Sequence, residues 1–499
     1  FSTMTDWNPA EIIGLKPKPL AKSLYESLIT DEIWSQSRVS LGYKNINKIP
    51  LMRTFFGTPY IDLKTDINSF LISTLSKKIQ TKLINFYLYK FKAKPNYYFD
   101  KIESTLVINA ISLNINKYKN CLSNSGLTKK ELNEVINKYT DLTTKIILKM
   151  NYNINKYKFG EKLYNKISNP KSSSKNDILE LQSICKDYGT LPFANLARMA
   201  FIAVEFLNSF EDLNIITKKE KEHLLKTNRS ISYEMNKTFN KSKSLFIEKY
   251  GHLRPNTYEI TTLNYKENYK NYFKNSKINL KREKKFKFRS LQIQKINYFL
   301  KKNSFKNINA NILINFIENS IYHRERSKLF FTKIVDKIFS KLKVLSKKMK
   351  LKESDIQYLD IKKNFIINNN FSNKRLSKIL KENILINKRK YEFYQNFNMP
   401  NVILNEQDIY YFEEKEASPT FITDKIISSK FIFLKKFSKK LNLNNKIICI
   451  ENADPGYDFI FNFQINGLIT AFGGPNSHMS VRCNEYSIPA AIGVGEKKF

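Results

Sequence analysis

The sequence predicts a multidomain chain of the α plus α/β class: a mostly α-helical middle domain, then a small α/β domain at the C-terminal end. Three observations predict it. Apolar residues recur at helical spacing, with Lys and Glu between them, through Leu127–Met150, Leu191–Phe210 and Ile312–Lys350. No glycine occurs between Gly251 and Gly456, which suits long helices and disfavours a hairpin-rich sheet. Beyond residue 420 the texture changes to short β-branched and aromatic runs punctuated by glycine.

Taken in order, residues 1–70 form a loop-rich segment in which Pro-interrupted turns alternate with short helical pieces such as Leu20–Ile29. Residues 71–400 form the helical domain, whose Asn/Lys-rich stretches Asn151–Lys158, Lys171–Asp177 and Asn368–Arg375 suit loops or linkers. Residues 401–419 gather Glu406, Asp408, Glu413, Glu414 and Glu416 ahead of Ser418-Pro419 and make a linker. Residues 420–499 offer strands at Phe431–Phe433, Lys446–Ile450, Phe459–Phe461, Leu468–Phe472 and Ala490–Val494, with a helix after His478 between the last two.

Size and charge bound the function. A chain of 499 residues has room for about two to four domains with substantial cores. Its 85 Lys and Arg against 45 Asp and Glu leave a net charge of +40, a field that draws in anions. Lys, Asn, Ile, Tyr and Phe are abundant together while Gly and Pro are scarce, and neutral Asn does nothing for phosphate, so the bias resembles nucleotide composition more than a nucleic-acid interface. Basic runs such as Lys281–Arg289 then become solvated faces, and no specific nucleic-acid partner is expected. Cys121, Cys185, Cys449 and Cys483 show neither pairing nor metal spacing, which suits a reducing cytoplasm and gives no metal site; Cys483 lies close enough to His478 to be partly accessible. The longest apolar stretch, Leu196–Leu207, carries Arg198 and Glu205 and is too short to span a bilayer, so no membrane partner is expected. A start at Phe1 and an end just past a strand-like run suggest a fragment of a longer protein.

The chemistry concentrates in the run from Ala471 to Gly493. Gly473 and Gly474 permit positive φ and close backbone approach, and Pro475, Asn476 and Ser477 are helix-opening residues. His478 therefore falls at a helix N-terminus, where unpaired N–H groups and the dipole favour negative charge. An imidazole there can take up a phosphoryl group as a nucleophile, with Ser477 to orient it and Arg482, one turn on, to steady the phosphate. The bland alternative is a solvated or capped histidine. Two further places invite a functional reading. The segment Tyr250–Ile260 breaks the helical pattern and concentrates His252, Arg254 and Glu259, either as a substrate-facing loop or as a polar loop packed on a neighbouring helix. Arg324 and Lys328 stand four apart on one helical face, either to hold an acidic or phosphorylated group or as part of an ion-pair network.

The C-terminal stretch resembles the phosphohistidine swivelling domain of phosphoenolpyruvate-utilising enzymes. Gly473, Gly474, Ser477, His478, Glu485, Ile488, Pro489, Ala490 and Gly493 follow the family pattern; Asn484 stands where the family has its basic residue, and the Arg falls at 482. Asp454-Pro455-Gly456 and the strand into the glycines are similar to the same domain. Asp6-Trp-Asn-Pro-Ala-Glu11 and Pro19-Leu-Ala-Lys-Ser-Leu-Tyr25 resemble the segment that follows the ATP-grasp domain in phosphoenolpyruvate synthase-like proteins. Gly251-His-Leu-Arg-Pro-Asn-Thr-Tyr258 resembles a further family segment, with Asn256 replacing a glycine, and Arg324-Glu-Arg-Ser-Lys-Leu-Phe330 resembles its Arg-Glu-x-x-Lys-Phe helix. The resemblance implies a small swivelling β/β/α domain with His478 exposed at its tip. It also implies ATP and Mg²⁺ bound by an ATP-grasp domain elsewhere in the full-length chain, and a small-molecule acceptor. The expected activity is that of a dikinase-type phosphotransferase, its domain order resembling rifampicin phosphotransferase more than phosphoenolpyruvate synthase. Two other readings remain: a degenerate, non-catalytic scaffold, and a basic nucleic-acid-binding protein.

Overall fold

The computed structural model describes all residues except 6, 47–48, 168–174, 228–230, 274–283, 367–372, 413–418, 435–441, 475–476 and 496–498. Pro475 and Asn476 therefore lie outside the described residues, as do Glu413, Glu414, Glu416 and Ser418 of the linker and parts of the Lys171–Asp177, Lys281–Arg289 and Asn368–Arg375 stretches.

Helices dominate up to Tyr394. The short α1 (Pro9–Ile13) opens the chain, followed by α2 (Lys129–Leu148), α3 (Met150–Ile167), α4 (Leu191–Asp212), the long α5 (Ala310–Lys348) and α6 (Asn373–Tyr394), with shorter helices between them. Their ends follow local chemistry. Thr128 and Glu131 form a reciprocal capping box at the start of α2, and the Asn309 side chain accepts from Ile312 N (2.9 Å) at the start of α5. In α4, Leu196, Met199, Ala203, Phe206 and Phe210 fall on one stripe and are buried. That stripe packs along α5, where Ile334, Val335, Ile338 and Phe339 are buried; each such side chain contributes about 1.5–3 kcal/mol on leaving water.

One apolar core runs from Leu20 to Ile384 and crosses residue 70 without a break. The first seventy residues contribute Leu24, Trp34 and Leu51 to it, and hold a hairpin of β1 (Met52–Phe55) and β2 (Thr58–Ile61) where the sequence predicts loop. The stretch Asn151–Lys158, expected to be a loop, is helical: Ile154 and Tyr157, three apart, are both buried, while the Asn and Lys residues between them face outward. The continuous helical run Asn176–Asp212 is long and apolar enough to cross a membrane by length and composition, and its qualifying 18-residue stretch is 67% buried inside the protein.

The C-terminal sheet has the order β3-β7-β6-β5-β4, from β3 (Thr420–Ile422), β4 (Phe431–Phe433), β5 (Ile447–Asn452), β6 (Gly467–Phe472) and β7 (Ala490–Ile492). All neighbours are parallel except β3, which pairs antiparallel with β7. Parallel β6 and β7 require a crossover, and α7 (His478–Glu485) supplies it. Its first residue therefore lies just beyond the carboxyl end of β6, the edge where open parallel sheets bind ligands. Phe459–Phe461, expected to be a strand, belongs to a 3₁₀ helix over Pro455–Asn462. Asp454 caps it by accepting from Gly456 N (2.7 Å), and its apolar residues are buried without alternation. A second core joins this domain to Phe246, Tyr250, Leu253, Tyr265, Tyr272 and Phe273 of the helical region.

Candidate active site

Gly473 follows β6 with φ of 139°, and a Cβ there would meet Ala453 Cβ at 2.9 Å and Ile492 Cγ2 at 3.0 Å, so only glycine fits the turn. Gly474 is different: a Cβ would meet no protein atom within 4 Å, and the residue faces a cavity. Ser477 caps α7. Its Oγ accepts from Ser480 N (3.3 Å) and donates to Ser480 Oγ (2.8 Å), which in turn donates to Gly474 O (2.8 Å). Ser477 thus orients the helix carrying His478, and the imidazole itself is held by other groups.

Those groups are two carboxylates from different parts of the chain. His478 Nε2 donates to Asp458 Oδ1 (2.7 Å), at the end of the sheet, and Nδ1 donates to Glu325 Oε2 (3.2 Å), on α5. The ring is only 10% exposed, which corrects the expectation of an exposed tip: the domain is docked, with its histidine pressed into the helical body. Arg482 points inward rather than toward the cavity. Its Nε donates to Asp458 Oδ1 (2.9 Å), its Nη1 to Glu485 Oε2 (3.0 Å), and its guanidinium lies over Phe461 and Tyr486. In this arrangement it steadies Asp458, and through it the imidazole, instead of reaching a phosphate.

Charge follows from this geometry. Burial alone would lower the His478 pKa, but Asp458 and Glu325 reverse the effect and lift it to about 9. Burial would likewise raise the Glu325 and Asp458 carboxyls; His478, Arg324 and Lys328 hold the first, and Arg482 and His478 the second, below the usual carboxylate range. The docked ring is therefore an imidazolium at neutral pH, a state that cannot attack phosphorus. Cys483, expected to be partly accessible, is fully buried, and burial pushes its thiol up to about 12.

His478 lines a cavity of about 180 Å³ between the two domains. Arg324 and Lys328, four apart on α5, line it too, so the pair read from spacing does share a space with the imidazole. Among the described residues Lys328 forms no ion pair. Across the cavity stands Glu11 of α1, whose Oε2 accepts from Asn8 Nδ2 (2.9 Å). Burial pushes its carboxyl up to about 7, against the pull of Lys328. Trp7, Phe193 and Phe201 form apolar walls, and the buried Arg198 pairs with Glu103 at the base.

The three side chains read as substrate-facing lie outside this cavity. Arg254 is buried, paired with Asp336 and donating to Thr262 O (3.0 Å). Glu259 forms an ion pair with Lys18 (2.9 Å) beside a separate cavity of about 330 Å³. Burial, then Lys333 and Arg254, push the His252 pKa down to about 3, while the Leu329 backbone pulls the other way. The segment holding them docks the C-terminal domain. Thr257 N donates to Asp454 Oδ2 (3.1 Å), Tyr265 OH donates to Gly456 O (2.8 Å), and a Cβ on Gly456 would lie 1.7 Å from Arg254 O. Asn256 adopts φ of 57°, so the turn survives where the family has glycine.

Sequence reasoning missed Glu325, Asp458, Asn8 and Glu11 as site residues, although each lay inside a motif already singled out. Glu325 sits between Arg324 and Lys328, and Asp458 two residues after the Asp-Pro-Gly turn. Residues 443–498 match the family model described as the PEP-utilising enzyme, mobile domain, a span that includes Asp458, His478 and Arg482. The match supports a place among the phosphoenolpyruvate-utilising enzymes and a part in phosphoryl transfer. No curated protein matches the chain.

Proposed function

We propose that this chain carries the acceptor site and the phosphohistidine domain of an ATP-dependent, dikinase-type phosphotransferase resembling phosphoenolpyruvate synthase. His478 takes a phosphoryl group from ATP in one position of its domain and delivers it to a small hydroxyl compound or 2-oxo acid in the docked position. The observation that carries this reading is the shared cavity: the His478 side chain and two basic side chains, Arg324 and Lys328, line one space between the domains. A transferring phosphoryl asks chiefly for positioning and charge neutralisation, which Arg324 and Lys328 supply beside the ring. With a size near 180 Å³, close to a cavity known to hold a benzene-sized molecule (~150 Å³), the space suits a small acceptor.

A carrier histidine serves where donor and acceptor cannot share one site, and a swing of the domain connects them. The contacts that must part are the Glu325 bond, the seating of the Asp454–Phe459 turn on the segment from Arg254 to Tyr265, and the apolar core shared with Phe246, Tyr250, Tyr265, Tyr272 and Phe273. The donor needs a site of its own, apart from the cavity that His478 lines. That site belongs, in this proposal, to an ATP-grasp domain of the full-length protein, which would hold both ATP and Mg²⁺. Four free cysteines suit a cytoplasmic setting.

The test is to incubate full-length protein with ATP labelled at the β or γ phosphate and to locate acid-labile label by mass spectrometry. Label on His478 that vanishes in His478→Ala is the expected result. Label that persists in that variant ends the proposal.

A further inference from the structure

Resting on that reading, we infer that Glu11 is the base that removes the proton from the acceptor's hydroxyl as the phosphoryl group leaves His478. Transfer to a hydroxyl releases a proton, and the cavity must hold a group to receive it. Three acidic side chains line the space: Glu11, Asp100 and Glu103. Glu103 is buried against Arg198 and Asp100 is paired with Lys101 (2.8 Å), while Glu325, which bonds the ring from outside that lining, has Arg324 and Lys328 beside it and is held below the usual carboxylate range, a poor base. Glu11 remains. Asn8 Nδ2 holds its Oε2, and among the described residues no protein donor engages Oε1, which is left for the cavity.

The surroundings of Glu11 suit the task. Lys328 and Arg324 face it from α5, Asp454 from the turn before the 3₁₀ helix, and Tyr25 from the helix after α1. Burial outweighs the two cations and lifts the carboxyl to about 7, where a base is both deprotonated in useful amount and strong enough to accept. The step balances. The acceptor oxygen forms its bond to phosphorus while the P–N bond to the imidazole breaks. The electron pair of that bond stays on the ring nitrogen, the other ring nitrogen keeps the proton that its carboxylate partner holds, and the acceptor proton passes to Glu11. Charge is conserved, and no further reactant is needed.

The experiment separates this assignment from the carrier reading. Full-length protein is loaded from labelled ATP, freed of nucleotide and mixed with ethylene glycol as a probe alcohol small enough for the cavity. Phosphate ester and inorganic phosphate are followed from pH 5.5 to 8.5. Wild-type discharge should rise through about pH 7. In Glu11→Gln, label should still reach His478, showing a folded carrier, while discharge falls about 100-fold and loses its pH dependence. Glu11→Asp should recover part of the rate. Discharge by Glu11→Gln at the wild-type rate with an unchanged pH profile overturns the assignment while leaving the carrier intact, as does a loaded wild type that transfers to neither ethylene glycol nor water. A wild type that never loads His478 overturns both.

Discussion

His252 and His478 each follow a glycine-bearing turn, and each is enclosed by the protein, yet their chemistry is opposite. Around His252 burial acts beside two cations, Lys333 and Arg254, and the ring is driven neutral, its pKa pushed down to about 3. Around His478 the same burial acts between two carboxylates, and the ring is driven charged, at about 9. Burial sets how strongly neighbours are felt, and the sign of the neighbours decides the outcome. The surroundings differ too: His478 lines a cavity with two further cations, whereas His252 sits in a segment that seats one domain on another.

The comparison breaks most sharply on phosphoryl transfer itself. His478→Ala should lose all acid-labile label, while His252→Asn should keep it; equal loss in both would make the contrast empty. Next in size is Arg254, the cation beside His252. Arg254→Met removes one partner of a buried pair with Asp336 and should cost about 3 kcal/mol in denaturant unfolding, with no change in the affinity for acceptor. A variant of unchanged stability would return Arg254 to the substrate-facing role.

The two rings should also limit stability at opposite ends of the pH scale. His478 has a raised folded pKa, so its contribution is complete below about 6.5 and is lost as pH rises toward 9. His252 has a lowered one, so its contribution is complete above about 6.5 and is lost as pH falls toward 3. Each limb should slope by at most about 1.4 kcal/mol per pH unit. His478→Asn should flatten only the alkaline limb of an unfolding series, and His252→Asn only the acid limb. The smallest effect is at Glu325. Glu325→Gln keeps the shape but removes one carboxylate, so the His478 titration followed by NMR should move down from about 9 while Asp458 keeps it above that of His252. A titration left in place would mean that Glu325 does not sense the ring.

Legibility varied with the range of the forces involved. Long helices such as α4 and α5 showed in the apolar stripe, because that periodicity is local. The strands at Phe431–Phe433 and Leu468–Phe472 were readable for the same reason, whereas Phe459–Phe461 was not, since a fully buried apolar run has no period to read. The hairpin over Met52–Ile61 escaped because its Pro59 and Gly57 look like loop chemistry. In the site, His478 stood out through the glycines and serine before it, while Glu11, 467 positions earlier, had no local reason to be joined with it.

By itself the sequence determined the long helices and most of the C-terminal strands and put His478 at the opening of a helix, since caps, turns and stripes depend on neighbours a few residues away. Only the tertiary structure decided what surrounds that ring. Glu325 comes from a helix that meets this domain only when the two dock, and Asp458 from another turn of the same domain; the charge of a buried imidazole depends on groups within a few ångströms in space, however far apart they lie along the chain.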